Sequence, residues 1–133
     1  MPYIPYRGIP AIYQPIAADP EPGAVLDLPF YDGLSAHRNA PYMLATTTHW
    51  KPLVNGYSGH KPANFDQTVR RMNNFPASET IEALRALGVR YVVVHVNDYR
   101  SKDRVRKLIT DAARNSSLRL VAATDEHRLY RIR

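Results

Sequence analysis

The stretch TTTHWKPLVNGYSGHKP at residues 46–62 holds the only tryptophan of this 133-residue chain and two of its five histidines. An Asn55-Gly56 turn stands beside a Ser58-Gly59 turn within it. These residue types suit a binding loop. Gly56 and Gly59 let backbone amides approach a ligand, Lys51, Lys61 and His60 favour an anion, and Trp50 or Tyr57 can stack on a sugar or a lipid head. The same stretch also suits a folded Ω-like loop, in which Trp50 and Tyr57 plug a sheet edge and the glycines only satisfy turn geometry. Neither GxxxxGK[ST] nor GxGxxG occurs, so no motif points to a nucleotide cradle.

A second group stands where strands end. His95, Asp98 and Tyr99 fall at or just beyond the end of the apolar run 90–96, and Tyr31 and Asp32 follow the run 24–30. Ligands of parallel α/β sheets sit beyond the carboxyl ends of the strands. A His95–Asp98 pair has the types for a general base and its orienter. Equally, His95 suits a hydrogen-bonded core histidine, and Asp98 a turn into a helix capped by Ser101. His37, His49 and His60 are separated by eleven or twelve residues, without the short offsets of metal-ligand pairs, and no acidic cluster joins them. The pattern implies no metal and no cofactor.

The elements that must position these groups are clearest in the C-terminal half. Ser78 as cap, Glu79 and Glu82 near the start, an Ile81–Leu84–Leu87 stripe and a left-handed Gly88 predict a helix over about 79–87. RYVVVHV at 90–96 is β-branched and nearly continuous, the mark of a strand buried on both faces. Ser101 then opens a helix carrying Val105, Leu108, Ile109 and Ala112, and 118–124 with 127–132 predict a hairpin around Asp125-Glu126. Upstream, AVLDLPF at 24–30 is a further strand, and Phe65, Val69 and Met72 hint at a short helix. Residues 1–20 suit a linker or short helix, and 31–64 a long loop region. The expected fold is one α/β domain over 1–133. Its mixed sheet has about four strands, a parallel βαβ core plus a C-terminal antiparallel hairpin, with flanking helices and a long irregular N-terminal half.

Composition agrees with that division. All eleven prolines and five of six glycines fall within residues 1–76. Residues 1–68 carry four Lys/Arg against five Asp/Glu, whereas 69–133 carry fourteen against seven. Proline fixes φ and removes a donor, so the first half is expected to be loops and short extended pieces. The hydrophobic fraction of 44% is that of a folded domain, and the absence of cysteine excludes disulfides and thiolate chemistry. No apolar run approaches the roughly 20 residues of a membrane helix. The basic residues Arg70, Arg71, Arg85, Arg90, Arg100, Lys102, Arg104, Arg106 and Lys107 would make a phosphate footprint if they shared a face, for nucleic acid or anionic lipid heads. No nucleic-acid-binding motif accompanies them, and Asp103 among them suits a solvated helix surface.

Taken together, VLDLPF at 25–30, HWKPLVNGYSG at 49–59 and LRALGVRYVVVH at 84–95 resemble the soluble C-terminal region of large bacterial polytopic membrane proteins of the glycosyltransferase C type. That group is similar to the lipid-phosphate-sugar-dependent, dolichyl-phosphate-mannose type transferases. The resemblance runs from about Pro20 to Arg133. It implies a small extracytoplasmic α/β domain on a bacterial membrane. The partners it implies are the membrane portion of a parent protein or a membrane surface, and a glycan or lipid-linked sugar. The catalytic acid of such transferases lies in the membrane portion, so the resemblance implies an accessory domain with no catalytic residue of its own, the tail of a longer protein. Any ligand site is then expected at His49, Trp50, Lys51, Asn55, Gly56, Tyr57, Ser58, Gly59, His60 and Lys61. The alternative is a free-standing α/β binding protein using its basic C-terminal face.

Overall fold

The computed structural model describes residues 10–31, 41–42, 45, 49, 51, 53–54 and 65–133. A 3-10 turn, Ala11–Tyr13, runs into α1 (Gln14–Ala18), where Pro15 is tolerated because first-turn N–H groups have no intrahelical acceptor. There follow β1 (Ala24–Leu28), α2 (Phe65–Asn73), α3 (Ser78–Ala86), β2 (Val89–His95), a 3-10 turn (Val96–Asp98), α4 (Lys102–Ala113), β3 (Leu118–Ala123) and β4 (His127–Ile132). Within the region expected as loop, Pro41, Tyr42, Ala45 and His49 are helical. Tyr42, Ala45 and His49 are buried.

The mixed four-stranded sheet has the order β1-β2-β4-β3. β1 pairs parallel with β2, placing Asp27 opposite Val93 and Leu28 opposite Val94, and β4 is antiparallel to both its neighbours. Helix-linked β1 and β2 are adjacent, as expected. Helix-linked β2 and β3 are not, because β4 is seated between them. Side-chain pattern explains the choice. β4 buries Leu129, Tyr130 and Ile132, whereas β3 leaves Arg119 and Leu120 exposed and takes the edge.

Both faces of the sheet are covered, so β2 is apolar almost throughout. One face packs Leu26, Leu28, Val92, Val94 and Tyr130 against Val69 and Met72 of α2, Ile81 and Leu84 of α3, and Val105 and Leu108 of α4. The other packs Val25, Tyr91, Val93 and Leu129 against Ile12, Tyr13, Ile16 and Ala45.

Two capping expectations meet different fates. Ser101 Oγ accepts the Arg104 N–H at 3.2 Å, a true N-cap. Ser78 is already inside α3. Ala77 holds the cap position without a side-chain bond, and Thr80 Oγ1 instead donates to the Arg71 carbonyl at 2.8 Å, tying α3 to α2. Gly88 adopts φ +76°, the left-handed conformation that ends a helix at low cost only for glycine. The expected stripe stops short at Leu87, which is 57% exposed. Steps of three residues turn only about 300° each, so two steps carry a side chain about 120° off the starting line. Leu84→Ala is therefore expected to cost about 2–5 kcal/mol in urea unfolding. Leu87→Ala should stay within about 0.5 kcal/mol of wild type, and equal losses would contradict this packing.

Candidate functional site

Alternation along β1 turns Asp27 toward the same sheet face as Val25. Its carboxylate has no exposed surface. The Tyr13 hydroxyl donates to Asp27 Oδ1 at 2.5 Å, and His95 Nε2, from the end of β2, lies 2.9 Å from the same oxygen and 3.0 Å from the Tyr13 hydroxyl. A carboxylate oxygen at that distance requires the proton on Nε2, so His95 is the donor. Burial first, and then the Asp27 charge, hold the Tyr13 proton on far above the ordinary phenol range. Tyr42 stacks on His95 at 4.7 Å between ring centres, and His127 meets it edge-on at 4.9 Å. The residue types alone suggest Asp98 as the orienter of His95. The structure gives it Asp27 as carboxylate partner, and Asp98 is exposed in the 3-10 turn after β2. The alternation of VLDL was the available signal for Asp27, because an acid between apolar residues on a buried strand must find partners inside. Among the described residues no group of three His, Asp or Glu side chains is arranged to hold a metal ion.

His49, first residue of the candidate loop, sits beside this cluster, with its ring 5.9 Å from that of Tyr13 and only 4% of the residue exposed. Its Nδ1 accepts the Lys51 N–H at 3.0 Å, which places the ring proton on Nε2. That Nε2–H is buried and has no acceptor. The Lys51 ammonium donates to the carbonyls of Asp19 at 2.8 Å and Glu21 at 3.0 Å. Leu53 then bridges Val25 in parallel at the free edge of β1, with the Val54 N–H donating to the Val25 carbonyl at 2.9 Å. A cavity of about 430 Å³ opens at this foot of the loop, lined by His49, Lys51, Pro20, Pro22 and the exposed Leu87. Trp50, Asn55, Gly56, Tyr57, Ser58, Gly59, His60 and Lys61 lie outside the described residues.

Beyond the carboxyl ends of β1 and β2 lies a second cavity of about 620 Å³, bordered by Tyr31, Arg70, Asp98, Tyr99, Arg100 and Arg104. Asp98 and Tyr99 thus come together, while His95 is turned into the buried cluster. The basic residues do not form one footprint. Arg70, Arg100 and Arg104 border this cavity, whereas Arg85 and Arg90 lie at the other end of β2 with Arg119, Arg131 and Arg133. Arg106 and Lys107 lie on the exposed side of α4, 3.8 Å from Asp103 and 4.0 Å from Asp111, in pairs worth little in water.

Burial pushes the His49 ring below the ordinary imidazole pKa of 6.5, and burial followed by the neighbouring His95 does the same to His127. The unfolded chain therefore takes up protons first as pH falls. The stability held by these neutral rings is complete above about pH 6.5 and is lost progressively below it. Asp19, held below its ordinary 3.8 chiefly by the Tyr91 hydroxyl, adds a loss only in a more acid window. Thermal melts should show Tm falling as pH drops below about 6.5, with a shallower fall in His49→Gln. A flat wild-type profile would contradict the buried neutral rings.

No protein-family model and no curated protein matches this sequence. Among solved structures, the chain is similar in fold to the C-terminal globular domain of an oligosaccharyltransferase from Archaeoglobus fulgidus, at 12% identity and a TM-score of 0.53. The similarity covers 87% of this chain and 89% of that domain. No helix among the described residues is long and apolar enough to cross a membrane. The fold found here is therefore one that an oligosaccharyltransferase also carries as its C-terminal globular domain.

Proposed function

We propose that this chain is a non-catalytic accessory domain of a membrane glycosyltransferase-like protein, standing on the extracytoplasmic side of a bacterial membrane against the membrane portion. The observation that carries this reading is the fold likeness, which extends over nearly the whole of both domains. The motifs VLDLPF and HWKPLVNGYSG and the strand after Gly88 resemble the same class of protein independently.

In this reading the 49–61 segment takes a glycan or lipid-phosphate-linked sugar. The cavity at its foot supports the assignment. Pro20, Pro22 and Leu87 offer apolar surface for a sugar ring, and the His49 Nε2–H is a buried donor lacking an acceptor. A buried donor without an acceptor costs about 1–3 kcal/mol, which a ligand oxygen reaching it through a shift of the ring would recover. The helical placement of His49, and Lys51 tied to two carbonyls, give the segment a fixed base.

Titration calorimetry with a short-chain polyprenyl-phosphate sugar tests the reading. Saturable binding is expected, clearly weakened in Trp50→Ala with the melting temperature nearly unchanged. A structural plug would behave oppositely, with Trp50→Ala costing about 3–5 kcal/mol of stability. Absence of any lipid-sugar response, together with oligonucleotide binding that weakens steeply with salt, would overturn the proposal.

A further inference from the structure

We propose that the cavity beyond the carboxyl ends of β1 and β2 binds a sugar phosphate, with its phosphoryl group on Arg70, Arg100 and Arg104 and its ring against Tyr31 and Tyr99. This deepens the preceding reading by a second subsite, and rests on it only for whether the ester arrives free or lipid-linked.

Charge is the first argument. Three arginines border the cavity against the single carboxylate of Asp98. Among the described residues neither Arg70 nor Arg100 has a carboxylate within salt-bridge distance. Arg104 spends one N–H on the Asn73 carbonyl at 3.3 Å and keeps the rest of its guanidinium fork. Unpaired guanidinium groups gathered at one cavity suit a phosphate ester, whose oxygens match the fork. The start of α4 adds its partial positive charge from the same side, with Ser101 and Arg104 in the lining.

A feature independent of charge points the same way. Tyr99 also lines this cavity and is 8% exposed, yet its hydroxyl has no hydrogen-bond partner. A buried tyrosine hydroxyl ordinarily finds one. Burial keeps its proton in place despite the nearby Arg104, so it stands ready as a donor. Together with Tyr31 it adds aromatic surface of the kind sugar rings stack on. The wall is held firmly. Asn73 clamps the end of β1 through both its amide atoms, donating to the Phe30 carbonyl at 2.7 Å and accepting the Phe30 N–H at 2.9 Å.

Amide and affinity changes on titrating the domain with glucose 1-phosphate, inorganic phosphate and short-chain polyprenyl-phosphate glucose test the site. Glucose 1-phosphate should saturate, shift the amides of Tyr99, Ser101 and Arg104, and bind more tightly than inorganic phosphate. Arg104→Gln should weaken it about tenfold or more, the scale of one charge-assisted contact. Tyr99→Phe should weaken it several-fold while leaving Tm equal or higher, because the hydroxyl has no partner in the fold. Trp50→Ala should leave this affinity unchanged. Tighter binding of the lipid-linked ester supports the site with a membrane-borne ligand, and equal or weaker binding supports it with a free one. The proposal is overturned if neither ester saturates. It is equally overturned if both pocket variants bind as wild type, or if inorganic phosphate binds as tightly as the sugar ester. Binding lost in Trp50→Ala yet kept in Arg104→Gln would overturn this site while leaving the loop reading in place.

Discussion

Asp27 is a carboxylate without exposed surface in a parallel strand pair, and much of that sheet face is arranged to accommodate it. Removing such a charge from water costs several kcal/mol unless hydrogen bonds replace the hydration. The replacements come from distant parts of the chain. Tyr13 precedes Asp27 by 14 residues and His95 follows it by 68. Meeting this demand fixes the N-terminal 3-10 turn and α1 against the end of β2. Tyr42 and His49 are drawn in by ring contacts with His95 and Tyr13. The described N-terminal elements are thus fastened to the sheet by a buried polar cluster as well as by apolar contacts.

The two sheet faces therefore do different work. The face under α2, α3 and α4 is an apolar core whose packing supplies stability and leaves little room for adjustment. The opposite face carries polar groups within its core and supports the irregular segments. Two cavities follow from this construction. One forms where the segment through His49 and Lys51 reaches the free edge of β1, and the other where β1 and β2 end against α2 and α4. The first offers apolar surface with the His49 ring in its wall. The second offers guanidinium groups and aromatic rings. A lipid-phosphate-linked sugar contains chemistry suited to each.

Much of the regular framework was legible from local pattern. The β-branched run at 90–96, Gly88 after a helix, and Ser101 before one each depend on backbone chemistry within a few residues, and the structure keeps all three features. Features set by long-range pairing were not legible. Nothing local states that β4 enters between β2 and β3, since that choice compares the burial of Leu129 and Tyr130 with the exposure of Arg119 and Leu120. The partner of His95 was missed for the same reason, because Asp98 is near in sequence and Asp27 is near in space. Tyr42, Ala45 and His49 did carry a helical spacing. They escaped notice because prolines and small polar residues around them dilute the apolar stripe that usually announces a helix.

The most direct measurement of the central claim is the imidazole NMR signal of His49 during titration with a short-chain polyprenyl-phosphate sugar. The Nε2–H has no acceptor in the fold, so a ligand that engages the foot of the 49–61 segment and supplies one should move its resonance saturably. The concentration dependence of that shift should match the affinity measured by calorimetry. A His49 ring signal that stays unchanged while the sugar-lipid binds elsewhere, or does not bind at all, would contradict the account.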